Sequence, residues 1–445
     1  MAHDPETALD FILTADVPDP ARRMASLLLL DTLGVSAGAH ALAPARIARD
    51  FAVDFHAPGR PEHAAPLLFD GRQASIPGVA YACATQIDNL DGHDGFNPVK
   101  GHIGCAVVPA LFAFAEARPD LTAREALDVL AMSYEVGARA GLALHATVSD
   151  YHTSGAWNAL SVAAIGCRLR GASRLQLREA LGIAEYHGPR SQMMREIANP
   201  TMLHDGSGMG AMVGAMAALL SLRGFQGAPA ITVEASEAAP FWSDLGTRWT
   251  IEENYIKPYP VCRWAHAPLD ALHGLMRDHD LTHDHIAAVR VGTFTESAAL
   301  YPHMPQTTGQ AQYSLHFALA TLMRYGHVGP AQIDGPGLHD PGVAALLPRI
   351  SVHVDERHNA TFPAHRMADV TLTLTDGRTL SSGNVHARGG LDAPLSEAEV
   401  EEKFHLFAGP TLGPDRTRAL WTMREKLLQP DTMFRELADL VSAAP

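Results

Sequence analysis

Four segments of this 445-residue chain gather ionisable side chains inside stretches otherwise built from small apolar residues. Residues 86–105 hold Asp88, Asp91, His93, Asp94, Lys100 and His102, and run directly into the apolar stretch AVVPALFAFAEA. Residues 149–158 carry Tyr151, His152 and Asn158, and residues 185–206 carry Glu185, Arg190, Arg195, His204 and Asp205. The fourth, residues 255–266, holds Lys257, Tyr259, Cys262, Arg263 and His266. Ionisable groups in apolar helical surroundings cost free energy, which points to a function that retains them. The chemistry they suit is proton transfer beside a carboxylate. Histidine, or a carboxyl whose pKa burial has raised, supplies acid and base near neutral pH. Lysine and arginine hold carboxylates, arginine in a fork. Each segment is expected to place its groups at a helix start, where free N–H groups and the dipole favour anions.

Composition narrows the setting. The chain is 47% hydrophobic and 19% charged, an ordinary globular balance. Its 34 basic and 49 acidic residues leave a net charge of −15, which opposes binding to nucleic acid or an anionic membrane through bulk charge. An anionic substrate therefore needs a local island of cations. No apolar run approaches the roughly 18–20 residues that span a bilayer, and the opening MAHDPETALDF is acidic where a signal peptide would be basic. A cytoplasmic protein is expected. Cys83, Cys105, Cys167 and Cys262 are far apart with no C-x-x-C pair, against a disulfide framework or a zinc ribbon.

Some motifs lack their required context. Gly34-Val-Ser-Ala-Gly38 fits the nucleophile-elbow pattern, but follows a helical stretch where that motif needs a strand. Asp205-Gly-Ser-Gly-Met-Gly210 resembles a phosphate loop without the Walker lysine, and reads equally as glycines opening a packed helix. The 24 histidines include no HExxH. A metal-dependent hydrolase or lyase would need Asp88, Asp91, His93 and His102 to converge on one ion. Cys262 reads as a small residue at a helix start in preference to a nucleophile.

The elements that must position these groups are mostly helices. Helical spacing of apolar residues marks 22–39, 106–116, 123–144, 154–169, 175–184 and 208–222. Thr122 and Ser173 supply start signals, the latter with Gln176 at capping-box distance. Past residue 280 the pattern changes. Residues 286–294 and 350–354 read as strands, and 368–380 as a hairpin around Asp376-Gly377. Residues 308–324 read as one helix, 341–347 as another, and further helices start near Ser396 and Pro414. The expected fold is mainly α. A large all-helical domain takes residues 1–270 and 396–445, a smaller α+β lid domain takes 271–395, and Gly389-Gly390 with Pro394 is the candidate hinge.

In order and spacing, LLLLDTLGVSAGA, the Asp-rich loop ending at His102, YHTSGAWNALSVAA, ALGIAEYHGPRSQMM, HDGSGMGAM, IKPYPVCRWAHAPLDA, QAQYSLHFALA and APLSEAEVEEKF resemble the MmgE/PrpD superfamily along essentially the whole chain. That group includes 2-methylcitrate dehydratase, cis-aconitate decarboxylase and iminodisuccinate epimerase. The resemblance implies a helical domain made from both chain ends with an α+β lid, a homodimer, and no metal or organic cofactor. By it, Asp88 and Asp91 match the two acids of the family's Asp-x-x-Asp loop, and His102 the histidine closing that loop. His152 matches the histidine before the TxG helix start, Lys257 the lysine of the K-x-Y/F-P segment, and His266 the histidine after the family's Cys. Three departures stand out: decarboxylase-like members carry a lysine where this chain reads Pro200-Thr201-Met202-Leu203-His204, their Phe-Asp-Asp becomes Leu90-Asp91-Gly92, and an aromatic hydroxyl is replaced by Phe317.

The expected activity is a cofactor-independent lyase acting on a small di- or tricarboxylate by proton transfer at a carbon α to a carboxylate. Dehydration of a 2-methylcitrate-like substrate leads because the decarboxylase lysine is absent; decarboxylation or epimerisation is the alternative. His152 or Asp88 is expected as base and His102 as acid. Lys257, Arg263 and His204 would hold carboxylates, with Asp91 and His266 completing the binding set. A carboxylate-binding protein without turnover is the reading from another class.

Overall fold

A computed structural model describes residues 5–445. Met1–Asp4, the first residues of the acidic opening stretch, lie outside the described residues. The fold is mainly α, with only small sheets. Among the described residues no single helix is long and apolar enough to cross a membrane.

One hydrophobic core collects side chains from Ala8 through Ile256 and again from Val400 to Val441, so both chain ends build it. Asp19–Gly38, Gly104–Ala115, Ala123–Thr147, Gly155–Leu169, Arg174–His187 and Ser207–Ser221 are helices where apolar spacing predicts them. Ser173 and Gln176 form the expected capping box, and Thr122 accepts from the Glu125 N–H at 3.1 Å. The alanines and glycines let the backbones approach: a Cβ on Gly210 would lie 2.5 Å from the Gly155 carbonyl oxygen. This close crossing absorbs the phosphate-loop-like glycines. Ser36 sits buried inside the Asp19–Gly38 helix and accepts from Gln86, so the elbow motif is a packing feature.

A second core gathers side chains from Tyr259 to Leu374 around one sheet, and borrows Val35, Ile87, Leu90 and Phe407 from the helical body. In that sheet Ile286–Thr293 is central. It pairs in parallel with Ile350–Val354 and antiparallel with Met367–Leu374, which continues to Thr379–Ser381 and Val385–His386. Helical segments between residues 295 and 349 supply the crossover a parallel pair needs. Ala368, Val370, Leu372 and Leu374 alternate inward, as period-2 spacing requires. Gly377 turns the hairpin at φ 89°.

Several elements depart from expectation. The predicted helix over 308–324 is two, Thr308–Gln312 and Leu315–Tyr325, because Ser314 caps a new start by accepting from the Phe317 N–H. Glu397–Lys426 runs through the expected Pro414 start with a break at Gly413, and the chain closes on Arg435–Ser442. The hinge candidate is pinned: the Gly389 N–H donates to Ala393 and its carbonyl accepts from Ile256 at 3.0 Å. The short pair Gly95–Phe96 with Asn254–Tyr255 has no periodic signal at its length.

Candidate active site

The Ile76–Asp88 helix ends at Asp88, so this acid stands at a helix C-terminus and not at the helix start expected for it. The chain then turns through Asp91 at φ 53°, and Lys257 Nζ donates to Asp91 Oδ1 at 2.5 Å. Lys403 donates to the Gly92 carbonyl at 2.8 Å and pairs with buried Asp31, tying the turn to both ends of the chain. Gly95 pairs with Tyr255, and a Cβ there would sit 2.4 Å from the Tyr255 hydroxyl and 2.9 Å from His102 Nδ1, so only glycine fits. The result is a pocket of about 530 Å³, its open mouth included. Asp88, Asp91, Lys100, His102, Glu196, His204, Asp205, Tyr255, Lys257, Cys262, Arg263, Tyr313 and Arg366 line it.

Burial sets the protonation states. Asp88 accepts from the Ser207 N–H at 3.2 Å, yet desolvation, then the charges of Asp205 and Asp91, hold its carboxyl well above the usual range. Glu196, largely shielded from solvent and bonded by the Tyr313 hydroxyl, is raised by desolvation and then by the charge of Asp205. His102 moves the other way: desolvation and then the Lys257 charge lower its pKa, so the ring is neutral at pH 7. Its Nδ1 lies 2.6 Å from the Asp94 carbonyl oxygen, which only accepts, so Nδ1 carries the proton and Nε2 keeps its lone pair. The His102 backbone N–H donates to Ser154 Oγ at 2.8 Å, and that hydroxyl donates to Asp205. His204, at φ 43°, stands 3.9 Å from Glu196 and is lowered by burial. Burial pushes the Cys262 thiol up to about 12, which keeps it protonated and unreactive.

The pocket is electropositive within an acidic protein. Burial favours the protonated forms of Asp88 and Glu196, which leaves Asp91 and Asp205 facing Lys100, Lys257, Arg263 and Arg366. A small dianion would neutralise the excess, in the manner of a local cationic island.

The sequence model of the MmgE/PrpD N-terminal domain matches residues 11–240, and that of the C-terminal domain matches residues 259–429. The chain belongs to the MmgE/PrpD family. Cis-aconitate decarboxylase of Mus musculus is 24% identical over 394 residues, covering 83% of this chain and 77% of that protein. The enzyme of the same name from Homo sapiens is 24% identical over 365 residues, 77% of this chain and 74% of its own length.

In this MmgE/PrpD chain Asp88, Asp91, His102, His204, Lys257 and Arg263 converge on one pocket, and two expected residues do not line it. His152 is half-buried in a bridge to Gln192, with Nε2 3.9 Å from Asp150 and Nδ1 unpartnered. His266 is fully buried behind Arg263: its Nε2 lies 3.0 Å from the Val261 carbonyl and its Nδ1 3.3 Å from Arg263 Nη1. It positions the arginine. Sequence reasoning missed Lys100, Glu196, Tyr313 and Arg366. Lys100 carried a signal, as a cation inside the Asp/His loop. Tyr313, four residues before Phe317, brings an aromatic hydroxyl to the pocket, while Phe317 is buried in the second core. The metal reading loses Asp91 to Lys257, whereas Asp88, His93 and Cys105 bring ligand atoms within 4.8 Å of one another, one of three such groups among the described residues.

Proposed function

We propose that this protein is a lyase acting on a small di- or tricarboxylate, removing a proton from a carbon next to a carboxylate. The observation that carries it is the pair in one pocket: His102, whose Nδ1 contact with the Asp94 carbonyl leaves the Nε2 lone pair free, and buried Asp88, where desolvation favours the protonated carboxyl. His102 takes the α-proton, and Asp88 protonates the departing hydroxyl, which leaves as water. These roles reverse the expectation that His102 is the acid. Lys257, Arg263 and His204 hold the carboxylates, and Lys257 stabilises the charge that develops on the ionised carbon acid. Dehydration of a hydroxy-tricarboxylate is the reading the acid supports best. The kinship to cis-aconitate decarboxylases supports a C–C cleavage variant, in which a carboxylate leaves as CO2 and the protonated Asp88 delivers its proton to the carbon left behind.

The test is incubation with 2-methylcitrate, citrate, cis-aconitate and iminodisuccinate in deuterated water, read by NMR. Deuterium should enter the α-carbon of at least one compound. His102→Ala and Asp88→Asn should each lower that turnover by about 10²–10⁴-fold. Absence of exchange across the panel would sink the reading.

We also infer that the protein acts as a homodimer. Tyr186, Met194, Met202, Leu203 and Met209 expose large apolar side chains within one stretch beside the pocket, as a partner surface would.

A further inference from the structure

Two buried guanidinium groups face the pocket without an acid. Arg366 is 7% exposed; its Nη1 donates to Asn97 and its Nε has no acceptor. Arg263 is 8% exposed, gives Nη1 and Nη2 to the carbonyls of Arg388 and Ala387, and leaves its Nε unpartnered. Other buried arginines of this chain have acids: Arg22 meets Asp128, Arg49 meets Asp70, and Arg139 meets Glu135 and Asp244. An unpaired buried cation is costly, and a ligand that completes it recovers that cost.

The two arginines act on one place. Arg263 lies over the Tyr255 ring, 4.3 Å from its centroid, and Arg366 is close enough to depress the Arg263 pKa further after burial has lowered it. Arg263, Arg366 and Tyr255 line both the catalytic pocket and an adjoining cavity of about 730 Å³, so they form the wall between them.

We propose that Arg263 and Arg366 form a second anion subsite that takes the remote carboxylate of the substrate, with the reacting carbon held at Asp88 and His102. The placement of the reacting end rests on the proton-transfer reading above; the subsite itself rests on the unpaired guanidiniums. Arg366 precedes a strand of the sheet and Arg263 precedes the His266–Asp278 helix, so one bound carboxylate joins two separate elements.

Calorimetric titration with tricarballylate and with butyrate separates a remote carboxylate from a reacting one. Arg366→Gln should weaken tricarballylate at least tenfold and change butyrate less than twofold. Arg366→Lys, which keeps the charge and loses the fork, should fall between wild type and Arg366→Gln, and it carries the test if the glutamine variant fails to fold. Equal losses for both ligands, or no loss for tricarballylate, would overturn the subsite. Wild-type protein that binds tricarballylate in this Arg366-dependent way, yet exchanges no deuterium with any substrate, would remove the proton-transfer reading and leave the subsite standing.

Discussion

A carboxyl group without solvent and beside two other carboxylates keeps its proton, and a desolvated imidazole beside an ammonium loses its own; Asp88 and His102 occupy these two environments. The proposed mechanism requires His102 neutral and Asp88 protonated. Activity should therefore fall at low pH as His102 gains a proton, below its ordinary 6.5, and at higher pH as Asp88 loses one, above its ordinary 3.8. A pH–rate profile of Asp88→Asn should lack the high-pH limb; a profile that keeps it would reassign that limb to another group. His152→Ala should retain more turnover than His102→Ala, because His152 stands beside the pocket and not in its wall. Asp94 gives a stability test. Its buried carboxyl is raised from 3.8 to about 7, so the folded state holds a proton that the unfolded chain has released. Stability should fall as pH rises from about 4 to 7, by about 1.4 kcal/mol per pH unit at most. Asp94→Asn should flatten that slope in melts recorded across the range.

Helix crossings at glycine position the loops that carry these residues. The Gly155–Leu169 helix begins against the segment that holds His204 and Asp205, and a Cβ on Gly155 would lie 2.3 Å from the Gly206 carbonyl oxygen. Gly155→Ala should cost about 1–3 kcal/mol in denaturant unfolding, through overpacking against backbone that cannot yield. An unchanged midpoint would show that the helices can separate. The break at Tyr313-Ser314 serves the site in another way: it frees Tyr313 to donate to Glu196 and lets the Gln312 carbonyl accept from the Cys262 N–H at 2.8 Å. Residues 308–324 have unbroken helical spacing, so the break was not legible there. The Ser314 cap was visible in principle, but contacts far along the chain decide that it is used.

At the scale of the whole molecule, the two ends of the chain meet at a buried ion pair. Lys403 binds Asp31 through both carboxylate oxygens at 2.6 and 2.8 Å, and the same ammonium holds the Gly92 carbonyl of the site loop. Lys403→Met leaves a buried acid unpaired and should cost about 3–5 kcal/mol in unfolding experiments, with a loss of turnover larger than its distance from substrate suggests. Dimerisation has an equally direct test: Leu203→Glu should shift the protein to monomer in light scattering, and an unchanged mass would take the 186–209 stretch out of the interface.

Much of this architecture was legible in local patterns. Apolar spacing of 3.6 marked the long helices, strict alternation marked the sheet, and the ionisable clusters marked the segments that build the pocket, because each of these signals lives within one turn or one strand. Other features were set only by the folded chain. Whether a histidine faces a cavity or stands behind an arginine, which tautomer it holds, and whether a guanidinium finds an acid all depend on neighbours from distant parts of the chain. His266, His102 and Arg366 acquire their roles there, since solvent exclusion and charge proximity exist only after the segments have come together.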